Sequence, residues 1–179
     1  HCRLQPPRAP AHCAAMSPDT LERLRSTIRD VPDFPQPGIL FKDITPVLAD
    51  AVLLRQAIEG MAAAFADQKV DKVVGIDARG FIFGALMAAR LGAGFVPVRK
   101  KGKLPWRTRG LDYTLEYGSN SVEMHEDALA PGEKVVLADD LLATGGTAGA
   151  AVRLIQESGA DLLGSAFFIE LGFLDGRSK

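Results

Sequence analysis

The chain is poor in the residues that could staple it or bind a metal. Its only two cysteines, Cys2 and Cys13, both fall within the first thirteen residues. That excludes a disulfide framework across the fold and leaves no cysteine pair at a metal-ligand spacing. A reducing, cytoplasmic setting is therefore expected. Of three histidines, His1 and His12 share that segment and only His125 remains, so Ser–His–Asp or Cys–His catalysis has little to build on. No apolar run approaches the roughly 20 residues of a membrane span. A net charge of −1 over 179 residues supplies no broad basic face for nucleic acid. Neither a membrane nor nucleic acid is expected as a partner.

What is present is ordinary for one soluble domain of this length. Residues 1–15, HCRLQPPRAPAHCAA, contain three prolines, no acidic residue and no periodicity, and they read as a leader foreign to the domain. Residues 16–179 read as a single domain. Ser17-Pro18 is a helix N-cap followed by proline at the first helical position. Leu21, Leu24 and Ile28 then share a face, and Pro32 is expected to end that helix. The proline-rich segment Pro32–Pro46 reads as an ordered loop or extended arm. A second helix is expected over Ala51–Ala66, capped by Asp50, with Leu54, Ile58, Met61 and Phe65 as its buried stripe.

From Lys72 strands alternate with helices. The pattern predicts a strand at Lys72–Ile76, a helix at Phe81–Leu91 and a strand at Phe95–Val98. A basic loop is expected from Arg99 to about Asp112. Tyr113–Glu116 and Val122–Glu126 are predicted to pair as a hairpin across Gly118-Ser119-Asn120. A strand at Lys134–Ala138, a helix to about Ser158 and a strand at Leu162–Glu170 follow. Such alternation implies an α/β fold whose central, mostly parallel sheet is flanked by helices. Ligands of such sheets bind beyond the carboxyl ends of the strands.

Three loops there carry the chemistry. In Asp139–Thr147 two carboxylates precede Thr144-Gly145-Gly146-Thr147 and a helix start. Glycines let backbone N–H groups approach a ligand, and a helix N-terminus favours anions. Adjacent acids would repel phosphate, so they should face sugar hydroxyls, or a magnesium ion on them. No lysine stands where a Walker loop needs one. In Asp77–Gly80, Arg79 suits bidentate contact with phosphate, or a plain ion pair. Arg99–Glu116 is either a lid over an anionic substrate or a solvated basic loop.

The run VVLADDLLATGGT at Val135–Thr147 resembles the signature of type I phosphoribosyltransferases. PDFPQPGILFKDITPVL, GIDARGFIFG, RKKGKLP and LEYG, in that order, are similar to the members that use adenine. The resemblance implies the type I phosphoribosyltransferase fold with a flexible lid hairpin. It implies a purine-salvage reaction in which adenine and phosphoribosyl pyrophosphate give AMP and pyrophosphate, with magnesium bound through the substrate rather than by a protein metal site.

Carried onto this sequence, the resemblance assigns Asp139 and Asp140 to the ribose hydroxyls. Ala143, Thr144, Gly145, Gly146 and Thr147 go to the 5′-phosphate, and Arg79 and Lys103 to the rest of phosphoribosyl pyrophosphate. Ile39, Phe41, Lys42 and Leu171 are assigned to adenine, with Phe41 stacking on the ring. Glu116 is the implied catalytic carboxylate, and Arg99, Lys100, Lys101 and Tyr117 belong to the lid. Members of the family are usually homodimers and usually continue for another strand beyond the position of Lys179. A phosphoribosyltransferase for another purine and a non-catalytic regulator that senses phosphoribosyl pyrophosphate are the alternatives. The arm at Pro32–Leu48 argues against the first. Regulators of that kind typically carry an added DNA-binding domain, whereas here only a short N-terminal helix precedes the arm, and Arg79, the basic lid and Glu116 also favour catalysis.

Overall fold

The computed structural model describes residues 16–115 and 118–178. Residues 1–15, read above as a leader, lie outside the described residues. The chain forms two compact units, His1–Ala66 and Asp67–Lys179.

In the first unit, helix α1 (Pro18–Thr27) starts as the sequence predicts. The Ser17 hydroxyl accepts a hydrogen bond from the Thr20 N–H at 3.1 Å. The helix stops at Thr27, however, before Pro32 is reached. Arg29–Pro32 forms strand β1, antiparallel to β2 (Leu40–Asp43). The register sets Arg29 opposite Asp43 and Asp30 opposite Lys42, and both are ion pairs, at 3.6 and 2.5 Å. Opposite charges facing across a strand pair favour the extended form. Between the strands Asp33 and Gly38 take positive φ, and the Gly38 N–H donates to Asp33 Oδ1 at 2.8 Å, closing the turn.

A short helix α2 (Thr45–Ala49) leads to α3 (Ala51–Ala62), which Asp50 caps by accepting from the Val52 and Leu53 N–H groups. The predicted helix to Ala66 is thus shorter, and a 3₁₀ turn, Ala63–Phe65, completes the span. Its buried face runs through Leu53, Ala57 and Met61, with Ile58 beside it. Leu54, expected in the stripe, is only half-buried, because packing against both α1 and α2 selects the neighbouring face.

The second unit is built on a six-stranded sheet. Strands β3 (Lys72–Ile76), β4 (Gly94–Lys100), β7 (Lys134–Leu142) and β8 (Asp161–Glu170) are parallel, and the hairpin β5 (Thr108–Leu115) with β6 (Gly118–His125) adds antiparallel to β4. The spatial order is β5-β6-β4-β3-β7-β8. Val74, Ile76, Val96, Val98, Val135 and Leu137 share a core with Ala150, Ala151, Leu154 and Ile155 of α5 (Gly146–Glu157). Side chains alternate across a strand. Val73, Gly75, Val136 and Ala138 therefore face the other way, where α4 (Gly80–Leu91) packs on β3 and β7. Gly84 lets that helix come close. A methyl group there would lie 3.2 Å from Gly75 Cα.

Two boundaries differ from the sequence reading in ways that matter for the site. Strand β7 runs on through Asp139 and Asp140 to Leu142, because β8 pairs with it along that length, Asp139 opposite Phe167 and Leu142 opposite Glu170. The two acids therefore sit on a strand end, not in a loop. The hairpin is also longer than predicted. Leu115 pairs with Gly118, so Gly118, Ser119 and Asn120 lie in β6 rather than between the strands. Much of the expected basic loop is strand. Arg99 and Lys100 belong to β4, and Thr108–Asp112 to β5.

Candidate functional site

The parallel order puts the carboxyl ends of β3 and β7 side by side, and the turns that follow them line one cleft of about 420 Å³. The first turn, Asp77–Arg79, joins β3 to α4, and its Asp77–Ala78 peptide is cis. Gly80 opens α4 against the end of β7. A methyl group there would overlap the Asp139 carboxylate and come within 3.2 Å of the Ala138 carbonyl. Glycine at this position is what lets the Arg79 turn approach the two acids.

Asp140 is buried, and Arg79 Nε meets its Oδ2 at 2.7 Å. Asp139 Oδ1 accepts the Asp140 N–H at 2.8 Å. Burial pushes the Asp139 carboxyl up to about 8, and repulsion from Asp140 adds to this, while Arg79 pulls the other way. Burial and Asp140 thus favour the protonated form of Asp139 near neutral pH, and a bound cation would favour the ionised one.

After Leu142 the chain turns through Ala143–Gly145 into α5. Gly145 has φ 81°, which a side-chain-bearing residue rarely adopts. It offers no side chain to cap the helix. The first N–H groups of α5 therefore point out of the helix without intrahelical partners, with the partial positive charge of the terminus behind them. Gly176 closes on the same turn. A methyl group at Gly145 would overlap the Gly176 carbonyl oxygen, and one at Gly176 would overlap that of Ala143. The Leu171 N–H donates to the Leu142 carbonyl at 2.9 Å, and Arg177 holds Glu170 through two contacts of 2.6 Å.

Arg79, Asp139, Asp140, Ala143, Thr144, Gly145, Gly146 and Thr147 all line this cleft. Leu171 adjoins it through the Leu142 carbonyl. Arg99 lies on β4 with Nε 3.0 Å from Asp77 Oδ2, and it also donates to the Lys103 carbonyl. Lys100 pairs with Val122 at the strand end, and Lys101 and Lys103 are exposed in the turn beyond. Ile39, Phe41 and Lys42 lie in the first unit, Phe41 with its ring edge-on to Phe34 at 5.1 Å. Glu116 and Tyr117 lie outside the described residues.

Three contributors were not singled out from sequence. Asp77 anchors Arg99. The buried Glu123 carboxylate takes hydrogen bonds from the Lys103 and Leu104 N–H groups and the Thr108 hydroxyl. Burial opposes its charge, but these donors hold it below the ordinary carboxylate range. Tyr113 places its hydroxyl 2.9 Å from Thr147 Oγ1. Strand alternation puts Glu123 on the face opposite the core residues Val122 and Met124, so its burial is not legible from the strand pattern. Nothing local marks the other two.

The arrangement can grip a phosphate at the α5 N-terminus, a diol at Asp139 and Asp140, and a second anionic group at Arg79. The sequence profile of the phosphoribosyl transferase domain family matches residues 48–178. An adenine phosphoribosyltransferase of Mesorhizobium japonicum is 55% identical over 164 residues, covering 92% of this chain and 91% of the relative. The crystal structure of adenine phosphoribosyltransferase from Rhodothermus marinus superimposes with a TM-score of 0.88 at 55% identity, over 90% of this chain and 92% of that one. The Saccharomyces cerevisiae enzyme, complexed with an imino-altritol bisphosphate and adenine, gives 0.84 at 41% identity, over 89% and 93%. The chain belongs to the phosphoribosyl transferase family, among the adenine phosphoribosyltransferases.

Proposed function

We infer that this protein transfers the 5-phosphoribosyl group of phosphoribosyl pyrophosphate to adenine, forming AMP and pyrophosphate in purine salvage. The observation that carries the reading is the single cleft in which a glycine-rich helix start, two acids and Arg79 converge. On this reading the 5′-phosphate lies at Ala143–Thr147, held by N–H groups and threonine hydroxyls. The ribose hydroxyls lie on Asp139 and Asp140. Arg79 takes the pyrophosphate, whose charge matches a guanidinium fork.

The bond from C1′ to pyrophosphate breaks with its electron pair leaving on oxygen. Adenine N9 supplies the pair that forms the new bond to C1′, and its proton must be accepted. We assign that role to Glu116, with Tyr117, Arg99, Lys100, Lys101 and Lys103 covering the site, and Ile39, Phe41, Lys42 and Leu171 receiving adenine. C1′ gains positive character on the way, which nearby carboxylates stabilise.

Among the described residues no group of three or more His, Cys, Asp or Glu could hold a metal. One or two carboxylates plus substrate oxygens suit magnesium, so Asp139 and Asp140 fit an ion that enters with phosphoribosyl pyrophosphate. When bound, it would offset charge on the departing pyrophosphate. A homodimer and a cytoplasmic setting complete the reading, on the family likeness. No helix among the described residues is long and apolar enough to cross a membrane.

The test is an assay with phosphoribosyl pyrophosphate and magnesium, offering adenine, hypoxanthine, guanine and xanthine separately. AMP from adenine, with the other bases at least about 100-fold slower, is expected, since a site built to hydrogen-bond one base leaves polar groups unpaired with another. Turnover of a different base, or of none, would overturn the assignment.

A further inference from the structure

The Tyr113 hydroxyl and Thr147 Oγ1 are 2.9 Å apart, and either could be the donor. Tyr113 is on β5, opposite Asn120 of β6. Thr147 is in the first turn of α5 and lines the cleft. The two are distant in sequence, and among the described residues their contact is the one side-chain hydrogen bond between that hairpin and the glycine-rich turn.

The direction of this bond matters once an anion occupies the cleft. A threonine hydroxyl has one proton and can donate once, whereas a phosphate oxygen only accepts. If Thr147 donated to Tyr113, its lone pairs would face the phosphate and repel it. If Tyr113 donates to Thr147, the threonine proton is released toward the ligand. The donating arrangement also polarises the threonine O–H, because linked hydrogen bonds strengthen one another.

We propose that Tyr113 is a positioning residue for the 5′-phosphate, donating to Thr147 Oγ1 so that the threonine hydroxyl donates to the substrate. This rests on the reading of Ala143–Thr147 as the phosphate site. It gives the hairpin a second task. Strand β5 also sets the hydrogen-bonding sense of the phosphate cradle.

The experiment measures binding of ribose 5-phosphate and steady-state kinetics for wild type, Tyr113→Phe, Thr147→Ala and the double variant. Tyr113→Phe should weaken ribose 5-phosphate roughly 3- to 10-fold and raise KM for phosphoribosyl pyrophosphate alike, leaving KM for adenine unchanged. Thr147→Ala should weaken it at least as much, and the double variant should be no weaker than Thr147→Ala alone. In a Thr147→Ser background, which restores the hydroxyl, the Tyr113→Phe effect should return. Wild-type affinity in Tyr113→Phe, or effects that simply multiply in the double variant, would overturn the proposal alone. Failure of the wild type to bind ribose 5-phosphate would overturn the site reading as well.

Discussion

Arg79 Nε and Asp140 Oδ2 meet at 2.7 Å, an ion pair with its acid buried and its guanidinium half-exposed at the cleft. The arginine is thereby held at the mouth of the site by the carboxylate assigned to the ribose. On the proposed reaction, substrate offers both groups better partners at once: a pyrophosphate for the guanidinium and a hydroxyl for the acid.

On that proposal, replacing Arg79 removes a positive charge that would meet the leaving group. Arg79→Ala is expected to lower kcat/KM for phosphoribosyl pyrophosphate about 100- to 1000-fold. Arg79→Lys should recover only part, because an ammonium lacks the planar fork. Steady-state kinetics with phosphoribosyl pyrophosphate varied at saturating adenine measure this. An Arg79→Ala enzyme within twofold of wild type would contradict the assignment.

Asp139 makes folding stability depend on pH in an unusual sense. Its carboxyl is raised from 3.8 to about 8 in the fold, mainly by burial and then by Asp140. The folded chain binds this proton more tightly than the unfolded chain, so the contribution favours folding at low pH. It is lost as pH rises from about 4 toward about 8, at no more than about 1.4 kcal/mol per pH unit. Urea unfolding at pH 5 and pH 8 should show wild type losing stability relative to Asp139→Asn. Parallel behaviour of the two proteins would show that Asp139 titrates normally. Because binding to sugar hydroxyls or a cation favours the ionised form, ribose 5-phosphate affinity of wild type should rise across the same interval.

Gly176 is expected to control the phosphate turn sterically. A side chain there would overlap the Ala143 carbonyl, and the Ala143–Gly145 backbone would have to move. Misplacements of about 1 Å at a binding site can lower rates about 100-fold. Gly176→Ala should therefore weaken ribose 5-phosphate by roughly 10- to 100-fold while KM for adenine stays near wild type. Calorimetric titration would measure the first and initial rates the second. Unchanged phosphate affinity would show that the turn accommodates the methyl group.

The cleft was legible in sequence because its parts are local. Glycines, acids and an arginine at two strand-to-helix junctions define it within short runs, and parallel alternation puts those junctions on one edge. The misread parts depend on distant partners. Arg29–Pro32 becomes a strand only because Asp43 and Lys42 return across the proline turn to match Arg29 and Asp30. Gly118-Ser119-Asn120 has turn composition. The register is set instead by Leu111 opposite Val122, with both side chains in the core. The extension of β7 through Asp139 and Asp140 likewise needs β8 beside it. Tyr113 and Gly176 reach the cleft through tertiary contacts alone, and no spacing in the sequence announces them.

The most direct test of the central claim is a crystal structure of the protein with ribose 5-phosphate. The phosphate should lie at the N-terminus of α5, within hydrogen-bond reach of the Gly145–Thr147 N–H groups and Thr147 Oγ1, with the ribose diol on Asp139 and Asp140. A phosphate bound away from that turn, or a sugar that leaves both carboxylates untouched, would contradict it.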